Sequence, residues 1–321
     1  MTQLNSQHLL STDELGLNDI NLILNASKYV EDNISKGIDL PLLKGKILAT
    51  LFFEPSTRTR LSFETAMTKL GGSVITVESG GSTSAMKGET LEDMGKVISG
   101  YADIIVTRHP DPFSVDKLSS TSDVPVINAG DGPNQHPSQA LLDLYTISRE
   151  KGKLENLKIG LLGDLKFGRT VHSLCSLLNL FPIHFVFISH PSLKMPAHIV
   201  DKLRSEGHRV DEVSDLEAAI EDLDVLYVTR VQGERFEDEK TYLQVRDRYQ
   251  VNNEILRNAK LDLCIMHPLP RINEIHTEID SDPRAKYFKQ AKNGVYVRMA
   301  ILGLLLGKVE VPEKTLIGTS S

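Results

Sequence analysis

Short apolar runs alternate with amphipathic stretches along almost the whole chain. The runs lie near Ile47, at Val74–Val77, Ile104–Thr107 and Val126–Asn128, then at Ile159–Leu162, Phe185–Ser189, Val225–Thr229 and Leu263–Met266. Each is short enough for a buried strand, and helical spacings fill the intervals. Such alternation predicts an α/β protein with parallel sheets covered on both faces and right-handed crossovers. Four runs precede the helical pattern Pro137–Lys151, which leads into the polar stretch EKGKLEN, and four follow it. We therefore expect two domains, each a parallel β-sheet flanked by helices. Residues 1–136 would form the first, completed by a C-terminal helix of about 284–321, and residues 137–283 the second. The last long helical pattern, Pro283–Leu306, begins past the final strand and returns to the first domain. No internal repeat or low-complexity segment interrupts this plan.

Composition narrows the function classes. A chain of 321 residues, 40% hydrophobic and 25% charged, has material for two cores. Its net charge of −7 argues against nucleic acid as the main partner, since such proteins display a basic face. No apolar run approaches the roughly 20 residues that span a bilayer, and the first residues carry no export pattern, so a cytoplasmic location is expected. Cys175 and Cys264, the only cysteines, sit in apolar stretches and read as reduced, buried thiols. No His/Cys cluster has metal spacing, so neither a metal nor another cofactor is expected.

Chemistry concentrates in EPSTRTRLSFE, Glu54–Glu64, directly after the first apolar run. Pro55 sets a turn, Ser56 suits an N-cap, and Arg58–Leu70 carries helical spacing at Leu61, Phe63, Ala66, Met67 and Leu70. Strand, hydroxyl-rich turn and helix in that order aim backbone N–H groups, hydroxyls and a guanidinium at one spot, where the helix dipole favours an anion. The plainer reading makes Ser56 and Thr57 ordinary caps. Arg58 and Arg60 lie on nearly opposite helix faces, so one alone enters a site; we assign Arg58, and pair Arg60 with Glu64 across i,i+4.

Other strand ends carry polar groups. In NQHPSQ, His136 and Gln139 share a face at a loop-to-helix junction, where an imidazole can donate to an oxyanion and a glutamine oxygen can accept from an NH2 group. Arg108 ends a strand in TRHP, and MHPLPR leaves the carbonyls of Pro268 and Leu269 available as acceptors, with a cis bond before Pro270 compatible with the turn. GDLKFGRT opens a helix after a strand but lacks GxGxxG spacing, which weakens a nucleotide-binding reading. Its Arg169, with Arg230 and Gln232 of TRVQ, suits a ligand bearing two carboxylates. The loop GGSTSAMKGE carries Lys87 and reads either as an exposed linker or as a segment closing over an anion.

EPSTRTRLSFE, HPSQ and HPLPR in this order, with RHP, GDLKFGRT and TRVQ between them, resemble the aspartate carbamoyltransferase catalytic chains from about Lys46 to Leu306. STRTR and HPxQ are shared with ornithine carbamoyltransferases, but Pro268 stands where those relatives have a cysteine. The resemblance implies transfer of the carbamoyl group of carbamoyl phosphate to the α-amine of L-aspartate, the second step of de novo pyrimidine biosynthesis. It implies that Ser56, Thr57, Arg58 and Thr59 hold the phosphate, and that Thr59, Arg108 and His136 polarise the carbonyl. Gln139 and the carbonyls of Pro268 and Leu269 would hold the NH2. Arg169 would take the α-carboxylate of aspartate, with Arg230 and Gln232 at the β-carboxylate. Lys87 would enter a neighbouring subunit's site in a homotrimer, with Thr83 or Ser84 on the phosphate, and Lys87 and Leu269 would also meet aspartate. Glu54 would latch the domains through Arg169 or Arg235. Regulatory chains remain open at this point, as do two rivals: a carbamoyltransferase for another amine such as ornithine, and a non-catalytic carbamoyl phosphate-binding subunit.

Overall fold

The computed structural model describes residues 4–78, 88–231, 245 and 248–309. Of the residues singled out above, Thr83, Ser84, Lys87, Gln232 and Arg235 lie outside that set. The chain divides into two compact units, Met1–Tyr145 with Lys292–Ser321, and Thr146–Ala291.

In the first unit, β1 (Ile47–Phe52), β2 (Ser73–Glu78), β3 (Ile104–His109) and β4 (Val126–Asp131) form a sheet ordered β2-β1-β3-β4. Every pairing is parallel. Helices α1 (Leu17–Ser35), α2 (Thr57–Lys69), α3 (Leu91–Ser99) and α4 (Ser114–Ser119) belong to the same unit. All six residues of β4 are buried, which is why it reads as a continuous apolar run rather than an alternation. On α2 the inward face is Phe63, Ala66 and Met67, each fully buried, with Leu70 beyond its end. Leu61, counted on that face from its spacing, is instead 49% exposed.

Helix α5 (Pro137–Lys151) carries the chain from the first unit into the second. There β5 (Leu157–Leu162), β6 (Ile183–Ile188), β7 (Arg209–Val213), β8 (Val225–Val228) and β9 (Cys264–Met266) form an all-parallel sheet ordered β7-β6-β5-β8-β9. Helices α6 (Arg169–Leu178), α7 (Ala197–Ser205) and α8 (Leu216–Ala219) accompany it. Sequence patterning predicts four strands here, and the fifth, β7, corrects that expectation. Its sequence RVDEV is mostly exposed, because an edge strand has one neighbour and carries charges that discourage a second. Strand patterning tuned to buried runs passes over such a segment.

The last helix, α9 (Tyr287–Leu305), starts later than the pattern Pro283–Leu306 suggests. Before it, Ile265 N–H donates to the Arg284 carbonyl at 2.9 Å and Ala285 bridges Ile265 in parallel, so this stretch extends the sheet edge. From Lys292 onward α9 belongs to the first unit. Cys175 and Cys264 are both buried free thiols, and burial pushes both upward in pKa, Cys264 to about 12. No helix among the described residues is long and apolar enough to cross a membrane.

Candidate active site

The strand order of the first sheet puts its topological switch between β1 and β3, the place where open α/β sheets leave a crevice at the carboxyl ends of their strands. Register pairs Phe52 of β1 with Arg108 of β3, and His109 of β3 with Asp131 of β4, so three strand ends lie side by side. They carry Glu54 to Thr59, Arg108, and the loop to His136.

Ser56 is the N-cap of α2, but its hydroxyl makes no capping hydrogen bond, and the first turn contains no acidic residue. Arg60 N–H is the first to bond back, to the Ser56 carbonyl at 3.1 Å. The N–H groups of Thr57, Arg58 and Thr59 therefore have no acceptor within the helix. Thr59 is buried, while Arg58 is exposed. Partial burial and the Arg108 charge both hold the Arg58 guanidinium below its usual pKa. A guanidinium disfavoured by burial and by a neighbouring cation, in the first turn of a helix, is an arrangement that an anion relieves. Arg60 faces elsewhere, its Nε 3.6 Å from Glu64 Oε1, as its spacing predicts.

Glu54 Oε2 lies 3.0 Å from Arg108 Nε, an ion pair by distance without hydrogen-bond alignment. This fixes one edge of the Arg108 guanidinium, and Nη1 reaches the Ala129 carbonyl at 3.4 Å. The loop beyond β4 is organised by Asp131, which is fully buried. Its carboxylate accepts from the side chains of Asn128 and Asn134 and from the N–H groups of Phe113 and Gln135, all at 2.9–3.0 Å. That scaffold delivers His136, 4% exposed, to the start of α5. Gln139, half-buried in the first turn, donates its Nε2 to Asp143 Oδ1 at 2.9 Å.

In the second unit the switch falls between β5 and β8. The two strand exits are stitched together: Asp164 N–H donates to Thr229 Oγ1 at 3.0 Å, and that hydroxyl donates to the Leu162 carbonyl at 3.1 Å. Gly163, at φ 112°, permits the approach, since a Cβ there would sit 2.4 Å from the Thr229 carbonyl oxygen. Arg169, half-buried, is the first residue of α6, and Arg230, also half-buried, follows β8. Adjacent strands thus each supply one guanidinium.

Beyond β9 the chain turns through His267–Arg271, with Leu269 at φ 56° and a cis bond before Pro270. His267 Nδ1 accepts from Leu269 N–H at 2.8 Å, so Nε2 is the nitrogen that donates to Glu274 Oε1, at 2.8 Å. Glu274 Oε2 in turn accepts from the N–H groups of Ile272 and Asn273 at 3.1 Å. Burial alone would raise the Glu274 pKa, but these hydrogen bonds outweigh it and hold the carboxyl below the glutamate range. The turn that presents the carbonyls of Pro268 and Leu269 is therefore held from inside.

The match to known proteins is extensive. The family model for the aspartate/ornithine carbamoyltransferase carbamoyl-P binding domain matches residues 7–149, and that for the Asp/Orn binding domain of the same enzymes matches residues 155–305. The chain belongs to the aspartate/ornithine carbamoyltransferase family. Within it, the chain is 54% identical over 302 residues to the aspartate carbamoyltransferase catalytic subunit of Thermococcus onnurineus, covering 94% of this chain and 97% of that one. The solved catalytic subunit of M. jannaschii aspartate transcarbamoylase superposes with a TM-score of 0.88 at 50% identity, covering 93% of this chain and 98% of that one. Aspartate transcarbamoylase from Trypanosoma cruzi, solved in complex with carbamoyl phosphate and aspartate, superposes with a TM-score of 0.87 at 38% identity, covering 92% and 96% of the two chains.

Sequence reasoning passed over several residues that shape this carbamoyltransferase fold around its strand ends. Asp131, Asp143, His267, Glu274 and Arg298 are all at most 5% exposed. Buried polar side chains are the signal that could have found them, but burial of an individual aspartate or arginine is invisible without the partner that permits it.

Proposed function

We infer that this chain transfers the carbamoyl group of carbamoyl phosphate to the α-amine of L-aspartate, giving N-carbamoyl-L-aspartate and phosphate. The observation that carries the reading is the Arg58 guanidinium, disfavoured by burial and by the nearby charge of Arg108, in the first turn of α2, whose N–H groups have no acceptor within the helix. A phosphate dianion answers the two guanidiniums and the open N–H groups of Thr57 to Thr59, with the hydroxyls of Ser56, Thr57 and Thr59 completing the shell. His136, Arg108 and Thr59 then stand at the carbamoyl oxygen, where negative charge develops as the amine attacks. Gln139 and the carbonyls of Pro268 and Leu269 accept from the carbamoyl NH2.

Arg169 and Arg230 each take one carboxylate of aspartate as a guanidinium fork, with Gln232 at the β-carboxylate and Leu269 beside the amino acid. The amine forms the new C–N bond, the tetrahedral intermediate expels phosphate, and the departing dianion accepts the proton that the amine loses. Catalysis on this reading is alignment and charge stabilisation; no side chain becomes a covalent nucleophile. The acting form is a homotrimer in which Lys87, with Thr83 or Ser84, completes the site of a neighbouring subunit, and Glu54 serves closure with Arg169 or Arg235. It works in the cytoplasm, in pyrimidine biosynthesis, and regulatory chains are a partner compatible with this reading.

Phosphate release from carbamoyl phosphate, measured with aspartate, with ornithine and with neither, tests the assignment. Turnover is expected with aspartate alone. Turnover with ornithine but not aspartate would refute the acceptor, and binding without turnover would turn the chain into a carbamoyl phosphate carrier. Sedimentation of the active species as a trimer would support the shared site, and a fully active monomer would remove it.

A further inference from the structure

A carbamoyl group and an acetyl group have nearly the same shape, and an NH2 in place of a CH3 is the chief chemical difference. Reading that difference requires an acceptor pointed at the NH2. Glutamine is an ambiguous choice, because its amide presents an oxygen or a nitrogen depending on a rotation of 180° that changes its shape little. The surroundings of Gln139 remove the ambiguity. Its Nε2 donates to Oδ1 of Asp143, one turn along α5 and 0% exposed. An ionised carboxylate accepts and never donates, so it selects the nitrogen side of the amide and turns Oε1 the other way.

A carboxylate with no water around it needs a countercharge to stay ionised. Arg298 of α9 supplies one. Its side chain is 3% exposed, and its guanidinium lies 5.0 Å from the Phe63 ring of α2. A Cβ on Gly294, one turn earlier in α9, would fall 2.4 Å from Arg298 Nη1 and 3.1 Å from Leu142 Cδ2, so the bare glycine lets the guanidinium approach α5 at Leu142, the residue before Asp143, whose charge acts on it. Burial lowers the Arg298 pKa to about 10, against the opposing pull of Asp143, and the side chain stays charged at neutral pH. Arg298 Nε has no hydrogen-bond partner among the described residues, which fits a group retained for its charge. All of these residues lie in the first unit, and the same guanidinium touches α2, the helix whose N-terminus faces the phosphate.

We propose that Asp143 and Arg298 are positioning residues that fix the amide of Gln139 so that its oxygen accepts from the carbamoyl NH2, making them the source of discrimination between carbamoyl and acetyl phosphates. The inference rests on the carbamoyl phosphate reading of Gln139 given above. It assigns Arg298 no contact with substrate.

The test compares dissociation constants for carbamoyl phosphate, acetyl phosphate and inorganic phosphate in the full-length protein and in Asp143→Asn. The introduced amide can donate as well as accept, so Gln139 loses its enforced orientation. Carbamoyl phosphate should bind about 10-fold or more weaker, the effect of one lost hydrogen bond in a desolvated site, with phosphate and acetyl phosphate within about twofold of the parent. Arg298→Lys, which keeps a cation, should retain more of the discrimination than Arg298→Met. If Asp143→Asn does not fold, Gly294→Ala displaces the guanidinium from α5 and should produce the same selective loss. Equal weakening of all three anions would reduce the pair to a structural role and overturn the proposal, as would undiminished discrimination in Asp143→Asn. An unmutated protein that does not bind carbamoyl phosphate would instead sink the functional reading itself.

Discussion

The two units repeat one plan with different sequences. In each, the first strand of the switch leads to a helix whose first turn carries an arginine, Arg58 on α2 and Arg169 on α6. The neighbouring strand brings a second arginine at its carboxyl end, Arg108 in the last residues of β3 and Arg230 just after β8, and the next strand leads into a His-Pro turn, His136-Pro137 and His267-Pro268. The histidines part ways. Both ring nitrogens of His267 are engaged by its own turn, one by Leu269 N–H and the other by Glu274, so its imidazole acts as internal framework. In the first unit the framework is the Asp131 carboxylate, which organises the loop through amide donors rather than through an imidazole, and His136 is carried on that loop to the site. Similar topology thus yields one histidine carried on a loop whose framework is a carboxylate and another that is itself the framework of its turn.

Replacing each histidine by alanine should break this symmetry most sharply. His136→Ala should lower kcat by about 10²–10³-fold, the usual result of removing one oxyanion donor, with thermal unfolding close to that of the parent. His267→Ala should show the opposite balance. Glu274 would remain buried without its side-chain donor, at a cost of about 1–3 kcal/mol in stability measured by urea unfolding. Comparable losses of kcat at unchanged stability in both variants would mean that the two turns do the same work.

Much of this plan was legible in advance. Eight strands announced themselves as apolar runs, and the residues at their carboxyl ends follow from the rule that open parallel sheets bind ligands there. Charged edge strand β7 did not, because its solvent-facing side chains carry no hydrophobic period. Leu61 misled for the converse reason: an apolar side chain at helical spacing is not obliged to be buried. The supporting polar residues stayed hidden because their partners lie several residues away in loops or on other elements, as with Asp131 and the N–H of Phe113 or His267 and Glu274, and no local pattern marks such a pairing.

A smaller effect should separate charge from shape in the His267 turn. The Glu274 pKa is depressed in the folded state, so its contribution to stability is present above the ordinary glutamate value and is lost as the pH falls through the folded value. Glu274→Gln can still accept from His267 but carries no charge, and should cost about 1–2 kcal/mol at neutral pH. The gap between variant and parent should then narrow on acidification, read from urea midpoints at neutral and acid pH. A gap that stays constant or widens would mean that the charge of Glu274 plays no part.

The smallest effect tests which arginine of STRTR faces the anion. Arg60 pairs with Glu64 at 3.6 Å on a half-exposed face of α2, and Thr76 Oγ1 also donates to Glu64 at 3.2 Å, so Glu64 keeps a partner when Arg60 is removed. Arg60→Ala should therefore cost only about 0.2–0.5 kcal/mol, typical of an i,i+4 ion pair, and leave carbamoyl phosphate affinity within about twofold. Arg58→Ala removes a cation already held at unfavourable proximity to Arg108, so the unliganded protein should lose little stability or gain some. Its phosphate affinity should fall far more than in Arg60→Ala. Opposite behaviour on the two axes, stability and anion binding, is what distinguishes a site residue from a surface pair two positions away. If Arg60→Ala weakened carbamoyl phosphate as much as Arg58→Ala, the anion would have to span both faces of the helix, and the placement of the site at the β1–β3 switch would fail.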